Sequence, residues 1–304
     1  MDNIGLIKKT FEDQMHKKAC SIYQFENIFN NYVFKVETET KPYIFKVYAK
    51  RDWPENGKLP FVSRKLSEYN IPHAELLVFN REDEIFPNGY LIEECLPGTT
   101  ADRLALSQDE TFKLYEKLAV LISRVHQIKL TGYGYTGNGI AKYTTFSEFM
   151  YDVLKDNTSN LTTNGLIETM ELSEINKAIY ARLKCCDVFP SILCHGDLST
   201  KNILVDSNDI MLIDWDDVQS LCWMADIARL TLWMKLNYDS NIADTCRKAF
   251  LDNYETEYDK SAFFEIEDTL HVWYGLDYLT FFAGTNMEKK IKLLLQDSRR
   301  KCGI

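Results

Sequence analysis

Ser191–Asp217 reads SILCHGDLSTKNILVDSNDIMLIDWDD, and the rest of the chain is best understood outward from it. Asn202 follows Asp197 by five residues. Ile203 to Asp206 has the β-branched, apolar character of a strand, Ser207-Asn208-Asp209 that of a turn, and Ile210 to Ile213 that of the returning strand. Pairing about Asn208 sets Ile203 opposite Ile213, which predicts that Asn202 and Asp214 come together at the mouth of the hairpin. An amide oxygen and a carboxylate on adjacent strand ends suit a magnesium ion, a hard cation that takes oxygen ligands and retains waters and substrate phosphates. Asp197, on the loop before the hairpin, is then placed to accept a proton from an attacking hydroxyl. Phosphoryl transfer asks for such parts, because its loose transition state needs positioning and charge neutralisation more than covalent help.

Upstream, YVFKVETETKPYIFKVYAK from Tyr32 reads as two strands with a polar connection. A turn at Glu39 and Thr40 pairs Val33 with Lys46 and Lys35 with Ile44, so these four side chains share one face. Pro60 to Tyr69 has helical spacing and ends at Asn70-Ile71-Pro72. Glu75 to Phe79 and Gly89 to Glu93 are two further expected strands. Glu94-Cys95-Leu96-Pro97-Gly98 breaks regular structure, and a boundary is placed there, giving residues 1–96 and 97–304. Beyond it the apolar residues recur every three or four positions, as at Leu114, Leu118, Leu121, Ile122 and Val125. Helices are expected around Phe146 to Leu154, Glu168 to Leu183, Trp223 to Leu236, Ile242 to Tyr254 and Glu265 to Phe282.

His195-Gly196-Asp197 with Asn202, followed by Ile213-Asp214-Trp215-Asp216, resembles the catalytic and metal-binding motifs of the aminoglycoside phosphotransferase family, which shares its fold with choline kinases. The resemblance implies an α+β, two-lobed protein kinase-like fold. A small N-terminal antiparallel β lobe with a helix would bind nucleotide, and a larger, mainly helical C-terminal lobe would carry the catalytic loop, metal site and acceptor pocket. It implies Asp197 as catalytic base, Asn202 and Asp214 as Mg2+ ligands, and His195 and Asp216 as supports of the loop. Lys46 in YIFKV looks like the strand lysine that contacts the α- and β-phosphates of ATP or GTP. YLIEECLPG looks like the hinge whose backbone reads the adenine, which nominates Glu93, Glu94, Cys95 and Leu96. Leu118 to Ile128 resembles the family helix with a terminal His, here His126, and Asp226-Ile227-Ala228 the downstream acidic helix start. Two features depart from the pattern. ENIFNNYVFKV has no glycine where the phosphate-covering turn is expected, and the glutamate that should pair with Lys46 is assigned to Glu55, with Glu68 the alternative.

The bulk properties bound the partners. At 304 residues, 45% of them hydrophobic, the chain can bury a large core. A formal net charge of -10 offers no basic footprint for nucleic acid or anionic lipid and favours a cationic substrate. Eight cysteines without a CxxC pair read as reduced thiols. No apolar run is long enough to span a bilayer, and the N-terminus lacks a signal-peptide core, so a cytoplasmic location is expected. The expected activity is transfer of a nucleoside triphosphate's γ-phosphoryl group to a hydroxyl of a small cationic acceptor such as an aminoglycoside. A choline, ethanolamine or other small-metabolite kinase is the alternative within enzymes, and a pseudokinase scaffold the alternative outside them. Trp215, Trp223, Trp233 and Trp273, and the acidic run EIEDTLHVWYGLDY, read either as a cation pocket or as core and solvated helix face.

Overall fold

The alternation around Lys46 is realised as a sheet. The computed structural model of the chain describes residues 3–26, 31–207 and 209–304. In chain order the elements are α1 (Asn3–Met15), β1 (Ser21–Gln24), β2 (Tyr32–Glu37), β3 (Tyr43–Val47), α2 (Lys58–Glu68), β4 (Leu76–Asn80), β5 (Tyr90–Glu94) and β6 (Thr99–Thr100). Then come α3 (Gln108–Val125), β7 (Gly134–Tyr135), α4 (Phe146–Thr163), α5 (Thr169–Leu183), β8 (Ile192–Cys194), β9 (Ile203–Asp206), β10 (Asp209–Leu212) and β11 (Gln219–Leu221). The last four are α6 (Trp223–Asn237), α7 (Ser240–Asn253), α8 (Ser261–Phe281) and α9 (Asn286–Cys302). Contacts divide them into two compact units, Met1–Thr99 with Leu204–Asp216, and Thr100–Ile203 with Asp217–Ile304. The hairpin that sequence reading grouped with residues 97–304 thus packs with the first unit.

In the first unit, five antiparallel strands run in the order β1-β2-β3-β5-β4. Val33 lies opposite Lys46 and Lys35 opposite Ile44, the register the alternation predicts. On the other face Phe34, Val36, Tyr43 and Phe45 are buried, joined by Phe86, Tyr90 and Ile92 and covered by Ile7 and Phe11 of α1. Phe45 stacks on Tyr90 at 5.1 Å between ring centroids. The sheet therefore sorts its residues by parity: aromatics toward α1, and Ile44, Lys46, Leu91 and Glu93 toward the opposite side. β9 covers the expected Ile203–Asp206, whereas the returning strand β10 is Asp209–Leu212, one residue earlier than the expected Ile210 to Ile213; Asn208 lies outside the described residues, as do Asn27 to Asn30 of the glycine-free stretch.

The second unit is built mainly of helices, with a small antiparallel sheet in which β11 lies between β7 and β8. Capping boxes start two of the helices: Ser107 with Glu110 for α3, and Thr145 with Glu148 for α4. α8 is buried along most of its length, including Phe263, Leu270, Trp273 and Leu279, and packs against α4, α5, α6 and α9. Two helices went unanticipated in the sequence. α9 buries Ile291, Leu295, Ser298 and Cys302, a correctly spaced stripe in which only two side chains are large and apolar. α1 likewise presents little more than Ile7 and Phe11, so its helical period is faint. Among the described residues no helix is long and apolar enough to cross a membrane, and each of the eight cysteines is a free thiol.

Replacing Phe45 by Ala should lower unfolding free energy by about 3–5 kcal/mol, the range for removing a buried aromatic. Urea denaturation followed by tryptophan fluorescence measures it.

Candidate active site

In the first unit, Lys46 is the centre of the constellation. Its side chain is only 8% exposed, and its ammonium contacts Asp214 Oδ1 at 2.8 Å and Asp216 Oδ2 at 2.9 Å. Burial works against its charge, but the two carboxylates outweigh that cost and raise its pKa well above the usual value. Asp214 is 46% exposed and Asp216 only 7%. One carboxylate is thus presented to solvent while the other is locked in, because Asp216 also accepts from Tyr48 Oη at 3.4 Å and from Asn31 Nδ2 at 3.4 Å. Asp214 adopts φ 63°, a left-handed conformation uncommon for a residue with a side chain. Next to it, Trp215 folds back so that its indole nitrogen donates to the carbonyl of Leu212 at 3.2 Å.

Neither glutamate nominated to pair with Lys46 does so. Glu55 precedes α2 and ion-pairs with Lys58 at 2.5 Å, since the chain turns at Gly57 with φ 85° before the helix begins. Glu68 sits at the far end of α2 with Lys65 and Arg64. Sequence reading passed over Lys58, which is fully buried and donates to the backbone carbonyl of Asp216 at 3.2 Å.

The nominated hinge residues separate on inspection. Glu93 and Glu94 complete β5, and the Glu94 N–H donates to the carbonyl of Glu75 at 2.9 Å. The Glu94 carboxylate pairs with Lys41 at 2.9 Å, while Cys95 and Leu96 leave the strand. Glu93 contributes its side chain as well as its backbone, because it lines a pocket with Lys46, Leu91, Asp214 and Asp216. Burial pushes the Glu93 carboxyl up to about 7 against the pull of Lys46, with Asp216 and Asp214 adding to the push. Lys46 and Lys58 stand among four acidic groups, Asp214, Asp216, Glu55 and Glu93. That surplus of carboxylates, one of them half-exposed, fits a divalent cation.

In the second unit, the catalytic-loop candidates are organised by Asp226. Its carboxylate accepts the backbone N–H groups of His195 at 2.7 Å and Gly196 at 3.0 Å. It also meets His126 Nε2 at 3.3 Å, whose Nδ1 contacts Tyr254 Oη at 2.7 Å. Burial would raise the Asp226 pKa, yet the hydrogen bond and charge of His126, with His195 and the Gly196 amide, lower it. His126, Cys194 and Asp226 lie close enough to suggest a metal cluster, but each polar atom of the histidine and carboxylate already has a protein partner. Gly196 is obligatory, since at φ 79° a Cβ would fall 1.9 Å from the carbonyl oxygen of Asp217.

Asp197 is held at both oxygens. Asn202 Nδ2 donates to Oδ2 at 2.8 Å and to the Asp197 carbonyl at 2.8 Å, and Arg229 approaches Oδ1 at 3.3 Å. With its amide nitrogen so engaged, Asn202 keeps its oxygen as the atom suited to a hard cation. Arg229 was not anticipated. It lies one turn beyond Asp226 on α6, with Tyr274 and Tyr278 around its guanidinium at 5.5 and 5.4 Å. The three-residue spacing from Asp226 was the available signal. The tryptophans and the acidic run resolve mostly as structure. Trp223 and Trp273 are buried, Glu267 pairs with Arg247 at 2.5 Å and Asp268 with Lys235 at 3.6 Å.

The raised pKa of Glu93 carries a sign for stability. Between its ordinary 4.5 and about 7 the unfolded chain has lost a proton that the folded chain keeps, so stability falls as pH rises through that window. Glu93→Gln should remove this contribution, at most about 3 kcal/mol. Thermal melts of both proteins at pH 5 and pH 8 check it, and the advantage of the variant should be larger at pH 8.

Comparison with known proteins bears on the family and the fold. A sequence model of the phosphotransferase enzyme family matches residues 22–264. No curated protein sequence matches the chain. Among solved structures, the chain is similar to a thermostable mutant of the aminoglycoside phosphotransferase APH(4)-Ia in ternary complex with ADP and hygromycin B. That likeness has a TM-score of 0.70 at 16% identity, covering 95% of this chain and 98% of the other. An ethanolamine kinase of Plasmodium vivax gives 0.64 at 18% identity over 91% and 82% of the two chains. A putative fructosamine-3-kinase from Thermobifida fusca gives 0.66 at 14% identity over 97% and 98%. With the lysine–aspartate constellation on the sheet, the Asp226-anchored loop and a match spanning most of its length, the chain belongs to the phosphotransferase enzyme family and has its kinase-like fold.

Proposed function

We propose that this small-molecule kinase transfers the γ-phosphoryl group of ATP to a hydroxyl of a small cationic acceptor of the aminoglycoside class. The observation that carries the reading is the buried Lys46, paired with a half-exposed Asp214 and a buried Asp216. It is a fixed positive charge for phosphate oxygens beside a carboxylate that can turn to a metal. In this reading Asp214 and Asn202 are the oxygen ligands for Mg2+, which when bound would neutralise charge developing on the phosphates. Asp197 accepts the hydroxyl proton, with Arg229 and Asn202 fixing its carboxylate. Asp226 and His195 hold the loop, and the backbone of Cys95 and Leu96 after β5 reads the base, GTP being the alternative nucleotide. The presence of Lys46, Asp197, Asn202 and Asp214 together speaks against a pseudokinase scaffold.

The acceptor class rests on the net charge of -10 and on the likeness to a phosphotransferase crystallised with hygromycin B. A comparable likeness to an ethanolamine kinase supports a second reading, phosphorylation of an amino alcohol. The deciding experiment is a radiolabelled-phosphate transfer assay over aminoglycosides, choline, ethanolamine and fructosamines. Saturable turnover of ethanolamine or choline with none of any aminoglycoside would reverse the order of the two.

Asp197→Ala should reduce kcat by about 10²- to 10⁴-fold, the usual contribution of a positioned proton acceptor. Its circular dichroism spectrum should remain that of the wild type. Lys46→Met should instead raise KM for ATP and lower kcat together, measured with saturating acceptor.

A further inference from the structure

Lys58 has no place in the mechanism above, yet its surroundings are unusual. It is the first residue of α2 and is fully buried. A cation at a helix N-terminus opposes the helix dipole, and burying an ammonium is costly unless it is paired. Three contacts offset this: the Glu55 carboxylate at 2.5 Å, the Trp53 ring at 3.7 Å from its centroid, and the Asp216 carbonyl at 3.2 Å. Glu55 and Trp53 lie on the short segment before the helix. Asp216 belongs to the segment that carries Asp214.

That third contact has a consequence for Asp214. Its left-handed backbone persists only if the residues around it are held. On the upstream side Trp215 ties the segment to Leu212. Downstream, Asp216 is held by its carboxylate, on Lys46, Tyr48 and Asn31, and by its carbonyl, on Lys58. The carboxylate contacts act through the rotatable bonds of the side chain, whereas the contact of Lys58 with the carbonyl bears on the backbone itself. α2 puts Leu59 against the pocket and no glutamate of its own on Lys46, and Lys58 is a charged contact from the start of this helix to the segment that carries Asp214.

We propose that Lys58 is a positioning residue: its buried ammonium pins the Asp216 carbonyl and so fixes the direction in which Asp214 presents its carboxylate to a nucleotide-bound divalent cation. The proposal rests on the kinase reading. It makes Asp216, rather than a helix glutamate, the resident counter-ion of Lys46, with Lys58 linking α2 to that counter-ion.

The test is ATP binding by calorimetry, with Mg2+ and with EDTA, for the wild type, Lys58→Met and Lys58→Gln, alongside melting temperatures. Lys58→Met should bind metal-free ATP within about twofold of the wild type and lose about ten- to hundredfold of the enhancement that Mg2+ confers, the size expected for a lost hydrogen bond from a charged donor. Lys58→Gln, which keeps a donor, should recover part of it. A folded Lys58→Met with the full Mg2+ enhancement overturns the proposal, as does an equal loss of binding with and without metal. If Lys58→Met does not fold, the same comparison on Lys58→Gln decides, and an undiminished enhancement there overturns it. A wild type that binds no nucleotide overturns the kinase reading, and this inference with it.

Discussion

A buried ammonium between two carboxylates is the interaction on which the first unit depends. Lys46 reaches Asp214 and Asp216 from the middle of the sheet, and the two buried charges, Lys46 and Asp216, would each be costly there without a partner. Removing either side of such a buried pair typically costs about 3–5 kcal/mol, because the remaining charge is left without compensation. The pairing therefore ties the β9–β10 hairpin to the sheet, although the two are more than 150 residues apart in the chain. Asymmetry of exposure makes the arrangement useful. Asp216 is enclosed, while Asp214 is half-exposed and is the carboxylate that the proposed reaction would turn to a metal.

The second unit solves a similar problem with an anion. Asp226 is buried and accepts two consecutive backbone amides of the loop, those of His195 and Gly196. A carboxylate so satisfied stays ionised in the interior. It fixes the backbone immediately before Asp197 without touching Asp197 itself. Orientation of the Asp197 carboxylate comes from Asn202 and Arg229, one neutral donor and one cation. In the first unit Asp214 shares the compensation of Lys46 with Asp216, whereas in the second the loop amides and His126 satisfy Asp226 without drawing on Asp197.

Much of this was legible in the residues. The strand over Ile203–Asp206, the register of Val33 against Lys46, and helices α3 to α8 follow from local periodicity, which is a property of neighbouring residues alone. The motif His195-Gly196-Asp197 with Asn202, Asp214 and Asp226 indicated the family because those side chains have little alternative use in that order. What escaped has a common cause. The partners of Lys46 could not be chosen from sequence, since Glu55, Glu68, Asp214 and Asp216 are chemically equivalent until the chain direction at Gly57 is known. Lys58 and Arg229 were not singled out in the sequence, and it is their burial and partners that mark them.

The sequence by itself thus determined the family, the order of the main strands and of helices α3 to α8, and the alternation that separates the aromatic face of the sheet from its charged face. Tertiary structure alone decided which charges neutralise which. Hydrophobic periodicity is written in spacings of two to four residues, whereas the choice of a counter-ion depends on distances of about 3 Å between segments far apart in the chain. Such distances arise only when the core has packed and water has been excluded from around the charges.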